Sequence, residues 1–292
     1  MKNFLILPLV LLLSCGGNTE QSVKKQPFQS ISSKVDNLVE QLEKEISSFE
    51  KIASLDHHRM AAEVGVFTPP SIATIFTNSE VMIPIIKANP LTGLDLPYKI
   101  ICYSDADTLT AKLGYTSADF IQKRHSLETN TMAAYKVELN KIISAFDTNQ
   151  ISNTDLSNVN EGFGIIEIKS DFDFTTTVQN LRSTIMKQGD TKWFADIDYK
   201  KIASSMNVDI RPNTLLLFGA PAPGAKAMFT SPKIGLDAFC QKLLVFENEE
   251  GHIFIAYNSI EAFAQLYYNT TTKPQELINQ RLKLTFTKAI TE

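Results

Sequence analysis

The amino-acid sequence predicts an α+β protein of two repeated small domains, each an antiparallel sheet backed by helices, packed as a pseudo-two-fold pair. The first observation is an internal repeat: residues 55–95 align without a gap to residues 197–237, with nine identical positions. The second is that short β-rich apolar runs alternate with segments of helical spacing in both copies. The repeat is longer than the roughly 20–50 residues of a solenoid unit. Each copy is therefore predicted to be a whole domain.

The elements follow the same order in each copy. Two apolar runs, residues 72–76 and 214–218, predict strands that start just after Pro70 and Pro212. Proline suits this position because it cannot donate a hydrogen bond to a neighbouring strand. A short helix, a Gly-Leu-Asp turn and a β-hairpin are predicted next in both copies. The hairpin strands are expected at residues 99–103 and 108–115 in copy one, and at 242–247 and 252–257 in copy two.

Apolar residues at three- and four-residue steps predict the longer helices. These helices are expected at residues 34–52, 126–146, 176–186 and 274–288. A strand over residues 164–169 has no convincing equivalent in copy one. Either that strand is degenerate in copy one, or the first sheet is one strand short.

Three motifs of copy one resemble a known family. They are Asp-His followed by Ala-Ala, Pro-Pro followed by Phe-x-Asn, and Asn-Pro-Leu-Thr-Gly-Leu-Asp-Leu-Pro, which ends at Pro97. Together they resemble the domain of unknown function 302, over about residues 28–125 and again over 162–267. The resemblance implies a small α+β domain similar to the TATA-binding-protein-like fold, with no settled activity. Copy two keeps Gly-Leu-Asp but has Ala238-Phe239 where Leu-Pro is usual.

Residues 1–14 have a basic start and an apolar run that is too short to span a bilayer comfortably, which is typical of an export signal. Leu12-Leu13-Ser14-Cys15 resembles a bacterial lipobox. The resemblance implies a lipid, with palmitate among its acyl chains, on Cys15 and an anchor in the cell envelope, at the outer membrane. The alternative is an ordinary secretory signal with an incidental cysteine.

The remaining boundaries follow from composition and from the repeat. Residues 15–27 are predicted to be a flexible tether, because they are polar and rich in glycine at their start. The first domain with its trailing helix is expected at residues 28–146, a polar linker at 147–161, and the second domain at 162–292.

The formal net charge of −4 argues against a nucleic-acid partner, which needs a basic face. Apart from Cys15, the chain has two cysteines, Cys102 and Cys240, which are not equivalent in the repeat. The envelope permits disulfides. Cysteines in strands are more often buried free thiols that act as small hydrophobes, and this is the prediction here.

His57 is the first candidate for chemistry, because an imidazole that titrates near neutrality can bind a metal or an acidic ligand group. The adjacent His57-His58 pair is a poor chelate, since neighbouring residues do not share a helix face. No third ligand stands at a diagnostic spacing. The alternative is a histidine that hydrogen-bonds the backbone at a strand-to-helix corner. Copy two has Tyr199 at this position.

Three further residues are candidates for ligand binding: Asn78, Asp95 and Tyr115. Asp95 follows a glycine and could orient His57 or bind a cation, or it could cap the preceding turn. Tyr115 closes the hairpin and could line a pocket, or it could pack in the core with its hydroxyl satisfied. Asn78 matches a position of the resembled family and is replaced by Ala220 in copy two.

The sequence shows no nucleophile elbow, Gly-rich phosphate loop or paired-cysteine metal site. We therefore expect a lipid-anchored envelope protein without catalysis, which binds a small ligand, a metal or an envelope partner at the cleft of copy one or between copies. One alternative is an enzyme that uses His57 and Asp95 as an acid–base pair. The other is a structural or assembly protein with an exposed apolar face. The cofactor, the ligand and the oligomeric state stay open.

Overall fold

The structure is a computed structural model that describes residues 19–105 and 110–291. Copy one contains one four-stranded antiparallel sheet in the order β1-β2-β3-β4, with helices packed against it. Its elements are α1 (Thr19–Glu45), β1 (Glu50–Asp56), α2 (His57–Glu63), β2 (Ser71–Thr77), α3 (Ser79–Ala88), β3 (Tyr98–Tyr103), β4 (Lys112–Tyr115), α4 (Ala118–Arg124) and α5 (Ala133–Ile143).

Copy two repeats this order around a five-stranded antiparallel sheet, β5-β9-β8-β7-β6. Its elements are β5 (Ile165–Lys169), α6 (Phe174–Met186), β6 (Lys192–Asp198), α7 (Tyr199–Ser205), β7 (Asn213–Gly219), α8 (Pro221–Met228), β8 (Gln241–Glu247), β9 (Ile253–Asn258), α9 (Ile260–Tyr268) and α10 (Lys273–Ile290). The predicted α+β class, the strands β2 and β7, both hairpins and the last helix are confirmed.

The repeat is visible in the way that helices α2 and α7 begin. Asp56 and Asp198 are the N-cap residues, and each side chain accepts a hydrogen bond from the backbone N–H three residues later. Their backbone angles agree within one degree, with φ −85° and ψ 92° for Asp56 and φ −85° and ψ 91° for Asp198. An aspartate satisfies one of the free N–H groups of the first turn, so the same residue sets the helix start in both copies.

The structure differs from the sequence prediction at the beginning of copy one. Residues 19–27, predicted to belong to a flexible tether, form the first turns of α1. The helix predicted over residues 34–52 ends at Glu45, and β1 starts at Glu50. Strand β5 has no counterpart among the described residues of copy one, so the first sheet is one strand short, as one of the two alternatives had it. Cys15 and the export signal lie outside the described residues.

The two copies share a continuous apolar core and exchange contacts in a reciprocal way. Helix α2 packs on α8, and α7 packs on α3. The 3-10 turn Pro90–Leu94 of copy one lies on β8, and the equivalent turn Pro232–Leu236 of copy two lies on β3. Such reciprocity is the arrangement expected of a pseudo-two-fold pair. Each α2–α8 or α3–α7 contact region is called a seam below.

The linker between the copies is fastened to copy two by a buried lysine. Lys233 Nζ donates hydrogen bonds to the Ser152 carbonyl oxygen at 3.0 Å and to Thr154 Oγ1 at 3.2 Å, and it lies 4.6 Å from the ring centre of Tyr267. The predicted free thiols of Cys102 and Cys240 are confirmed, and both are buried. Within the described residues, we find no helix that is both long and apolar enough to cross a bilayer.

Candidate functional site

His57 is the first residue of α2 and its buried imidazole connects the two copies. Nε2 lies 3.1 Å from the carbonyl oxygen of Phe239, and Nδ1 lies 3.2 Å from Ser71 Oγ. A neutral ring with the proton on Nε2 donates to Phe239 and accepts from the Ser71 hydroxyl through Nδ1, which also lies 3.2 Å from the Ser71 carbonyl oxygen. Burial lowers the pKa of His57 to about 4, against the backbone contacts with Ser71 and Phe239 that raise it. The imidazole is therefore neutral at physiological pH.

Tyr199 makes the matching contact in the other seam. Its hydroxyl donates to the carbonyl oxygen of Leu96 at 2.7 Å and lies 3.0 Å from that of Gly93. The sheet registers place Leu96 and Phe239 at equivalent positions, two residues before Tyr98 and Gln241. His57 and Tyr199 are thus equivalent in their contacts, since each donates a hydrogen bond from a helix start of one copy to the same carbonyl position of the other.

Asp95 lies in a buried cluster of charged groups between the copies. Arg124 Nη1 donates to both of its carboxylate oxygens at 2.8 Å, and His125 Nε2 lies 2.7 Å from Oδ2. Lys99 Nζ is 3.6 Å from Oδ1. Burial alone would raise the pKa of Asp95, but Arg124, the hydrogen bond from His125 and Lys99 together hold that pKa well below its usual range.

Asp237, the counterpart of Asp95, occupies the other half of the same cluster. It accepts hydrogen bonds from Lys99 Nζ at 2.8 Å, from Thr116 Oγ1 at 3.3 Å and from the Tyr267 hydroxyl at 2.5 Å. Burial would raise its pKa, and the ammonium groups of Lys99 and Lys242 lower it below the usual value. Lys99 of copy one therefore bridges the aspartates of both copies.

The structure separates His57 from Asp95, which the sequence suggested as an acid–base pair. Both nitrogens of His57 point to Ser71 and Phe239, and the imidazole that contacts Asp95 is that of His125. The reason is geometric: the hydrogen bond to Phe239 holds His57 in the α2–α8 seam, whereas Arg124 and His125 at the end of α4 hold the carboxylate of Asp95. Each carboxylate oxygen of Asp95 and Asp237 accepts a hydrogen bond from within the protein, whereas Nδ1 of His125 is buried without a partner. The ion pair between Lys99 and Asp237 connects the two copies.

Asn78 and Tyr115 lie in two other places. Asn78 caps α3 by accepting from Glu80 N–H at 3.1 Å, and its amide donates to Glu138 Oε1 at 2.8 Å. The Tyr115 hydroxyl donates to Asn153 Oδ1 of the linker at 3.3 Å. The four predicted site residues therefore do not converge on one site, and only His57 borders a concave apolar space.

That space is a cavity of about 30 Å³ in the α2–α8 seam, called the seam cavity below. Its walls are almost wholly apolar and come from both copies. Copy one contributes His57 and Met60, and copy two contributes most of the remainder, including Phe194, Ala225, Met228 and Cys240. Among the described residues, no group of three or more histidine, cysteine, aspartate or glutamate side chains is placed to hold a metal ion.

The cavity exists because α8 carries smaller side chains than α3. The gap-free repeat pairs four buried positions of the two helices, and all eight residues are buried. Copy one has Met82, Ile83, Ile85 and Ile86, where copy two has Gly224, Ala225, Ala227 and Met228. Phenylalanine rings take up part of the lost volume, since a Cβ on Gly224 would lie 3.3 Å from Phe239 Cδ1. The α3–α7 seam therefore has larger residues at three of these four positions, and the α2–α8 seam contains the small apolar cavity.

Comparison with known proteins agrees with the duplication seen in the fold. The family model described as "Domain of unknown function DUF302" matches the chain twice, over residues 23–146 and 166–286. The chain belongs to the DUF302 family. It is similar to a crystal structure of an uncharacterized conserved DUF302 protein from Bacillus stearothermophilus, with 13% identity and a TM-score of 0.36, over 44% of this chain and 95% of that chain. A comparison with curated proteins finds no match.

The seam cavity could be predicted from the alignment of the two DUF302 copies, because that alignment shows where α8 has smaller residues than α3. No motif of either copy alone predicts it. The pairing of Ile83 with Ala225 and of Met82 with Gly224 is readable from the sequence. Two lining residues, Met60 and Met228, were missed because methionine at helical spacing is usually core. Arg124 and His125 were missed as partners of Asp95 because nothing in the sequence relates the end of α4 to that turn.

Proposed function

We propose that this tandem DUF302 protein is a non-catalytic binding module whose ligand occupies the seam cavity. The supporting observation is the asymmetry between α3 and α8. Protein interiors are packed to nearly crystalline density, and an apolar cavity costs stability in proportion to its volume, about 24 cal/mol per Å³. The α3–α7 seam has larger side chains at three of the four equivalent positions, and the α2–α8 seam contains an apolar cavity instead. A ligand that enters the open seam provides a use for that opening.

Two other functions were open from the sequence. The acid–base alternative requires His57 and Asp95 to exchange a proton, and the contacts of His57 with Ser71 and Phe239 leave no such route. An assembly role is favoured by one observation, an exposed apolar group at the end of α2 and α8. It contains Val64, Phe67 and Phe229, and the two phenylalanine rings are 6.0 Å apart. We treat assembly as the second candidate.

We further propose that the protein is held at the bacterial cell envelope, at the outer membrane, by a lipid on Cys15. The support is the sequence Leu12-Leu13-Ser14-Cys15 after a basic and apolar start. A Cys15→Ala variant should move from the membrane fraction to the soluble or unprocessed fraction of cells. Incorporation of labelled palmitate should disappear with the same change, whereas Cys102→Ala should leave it intact. Equal labelling of wild type and Cys15→Ala would contradict the anchor.

The cavity can be filled with the residue that copy one uses. Ala225→Ile should change the free energy of unfolding by less than about 2 kcal/mol, because filling the cavity stabilises and overpacking destabilises, and it should abolish ligand binding. Chemical denaturation measures the first effect. Native mass spectrometry after incubation with cuprous ion, octanoate or indole measures the second. Ala225→Val provides a smaller filling if isoleucine is too large.

The matched control lies at the equivalent position of the other seam. Ile83→Ala should lower the free energy of unfolding by about 2–5 kcal/mol, because it creates a new cavity, and it should leave ligand binding unchanged. If wild type binds none of the three probes, or if Ala225→Ile binds them as wild type does, the seam cavity is not the ligand site and the assembly role becomes the better proposal.

A further inference from the structure

We propose that the seam cavity binds one soft monovalent metal ion, cuprous copper, through the thiolate of Cys240 and the thioether sulfurs of Met60 and Met228. This inference rests on the proposed function, because it names the ligand class of the same cavity. The three sulfur-bearing residues come from α2, from α8 and from the chain just before β8, and all three line the cavity.

The pseudo-symmetry of the molecule provides the first argument. At the positions equivalent to Met60, Met228 and Cys240, the other seam has Ile202, Ile86 and Pro97. Isoleucine and proline side chains have no atom that can bind a metal. Of the two seams, sulfur therefore occupies these three positions only in the α2–α8 seam, and the α3–α7 seam has hydrocarbon side chains there.

The second argument is the size of the cavity. A volume of about 30 Å³ holds one ion without displacement of the walls, whereas octanoate or indole would have to push the lining side chains apart. Water is a poor occupant, because a buried water needs two to four polar partners and apolar cavities of this kind stay dry. A single ion with sulfur ligands fits both the volume and the character of the walls.

The third argument is the kind of donor. Thioether and thiolate sulfurs are soft ligands that select cuprous copper over the divalent ions that prefer imidazole or carboxylate. The described residues contain no cluster of three or more histidine, cysteine, aspartate or glutamate side chains that could hold such a divalent ion. A two- or three-coordinate sulfur site is therefore the metal chemistry that the seam cavity can support.

Met228 and His57, which both line the cavity, also lie close to Gly235. A Cβ built on Gly235 would lie 2.8 Å from Met228 Cε and 3.1 Å from His57 Cε1. Met228 and His57 thus both pack against Gly235, together with Ile101, whose Cδ1 lies 3.0 Å from the same point.

His57 acts as a positioning residue in this site. Its Nε2–H donates to the carbonyl oxygen of Phe239, the residue directly before Cys240, and so restrains the backbone that carries the thiol. Because its imidazole is neutral at physiological pH, it adds no positive charge beside an incoming cation.

Binding requires the thiol to lose its proton. Burial raises the pKa of Cys240, so the empty site holds the protonated thiol at neutral pH. When the ion binds, the S–H bond breaks, a sulfur–copper bond forms and the proton leaves to solvent. No electron is transferred, and copper stays monovalent.

The test is an anaerobic titration of the full-length Cys15→Ser protein in detergent with cuprous ion, against a competing chromophoric chelator. The Cys15→Ser protein without further changes should bind one cuprous ion per chain. X-ray absorption should show that all ligands of this ion are sulfur atoms. Cys240→Ser should abolish stoichiometric binding, and Met60→Ile or Met228→Ile should each weaken it, because each change removes one soft sulfur ligand. Cys102→Ser, which changes the other buried thiol, is the matched control and should have no effect.

A second substitution at position 57 distinguishes the positioning role of His57 from a general loss of folding. His57→Ala should weaken copper binding by about tenfold, and His57→Gln, whose amide can still donate to Phe239, should restore it. Circular dichroism of each variant checks folding, and Met228→Ile keeps the test informative if Cys240→Ser does not fold.

The outcomes separate the two proposals. If octanoate or indole binds in the seam cavity and cuprous ion does not, the binding function stands and the copper inference is wrong. Equal copper affinities for Cys240→Ser and Cys102→Ser would also overturn the inference. If none of the three probes binds, both proposals fail.

Discussion

A Lys99→Met variant should lose about 3–5 kcal/mol of its free energy of unfolding, because it removes one partner of a buried ion pair and leaves the other charge uncompensated. Lys99 is 1% exposed, and its ammonium is 2.8 Å from Asp237, which is fully buried. The same ammonium also lies 3.6 Å from Asp95. Without this ammonium, the carboxylates of Asp95 and Asp237 lose the positive charge that lies between them.

Urea denaturation of the variant measures this loss, and an exposed ion pair supplies the control. Lys51 pairs with Glu43 at the surface, and both side chains are more than 40% exposed. Lys51→Met should therefore cost less than about 1 kcal/mol. The double variant Lys99→Met with Asp237→Leu should recover part of the stability, since it removes both charges. If Lys99→Met and Lys51→Met cost the same, the buried cluster does not hold the copies together.

Acidification from pH 6.5 to pH 4 should lower the free energy of unfolding by about 3 kcal/mol through His57 alone. In the unfolded chain this histidine has an ordinary pKa near 6.5, and burial lowers its pKa in the native state to about 4. Between these values the unfolded chain binds a proton that the native protein does not bind. Stability is therefore complete above pH 6.5 and decreases as the pH falls toward 4.

Thermal and urea denaturation across this pH range measure the effect, and His57→Gln provides the control. Glutamine can keep the hydrogen bond to Phe239 but does not titrate, so the variant should lose much less stability between pH 6.5 and pH 4. Asp95 and Asp237 contribute at lower pH, because their depressed pKa values keep them charged until the solution is more acidic. An identical pH dependence of wild type and His57→Gln would contradict this account.

The sequence could predict those elements whose apolar residues follow one periodicity, either that of a strand or that of a helix. The repeat, the apolar strands β2 and β7 and the hairpins follow from apolar runs between turn residues. Strands β1 and β6 were missed, since both lie at sheet edges and Glu50–Asp56 alternates poorly, with exposed and half-buried residues throughout most of its length. The predicted helix ran too far because Ile46, Phe49 and Ile52 continue its three-residue spacing.

The site was harder to predict because it depends on how the copies pack. Asp95 was identified as a candidate, but its partners Arg124 and Lys99 are set by the interface between the copies and not by local sequence. His57 was identified for its chemistry, and the structure places it at the seam, where it corresponds to a Tyr199 hydroxyl that donates to the equivalent carbonyl. Residue type alone could not distinguish a histidine that donates to a carbonyl from one that binds a metal.

Joining the two copies in one chain has a consequence for how such a molecule can change. In a homodimer, replacing Ile83 by alanine would open both seams at once, and the loss of stability would be doubled. In this chain the equivalent seams are encoded separately, so α3 can keep Met82 and Ile83 while α8 carries Gly224 and Ala225. Gene fusion therefore releases one half of the interface from the symmetry that constrains the other, and substitutions tolerated around His57 need not be tolerated around Tyr199.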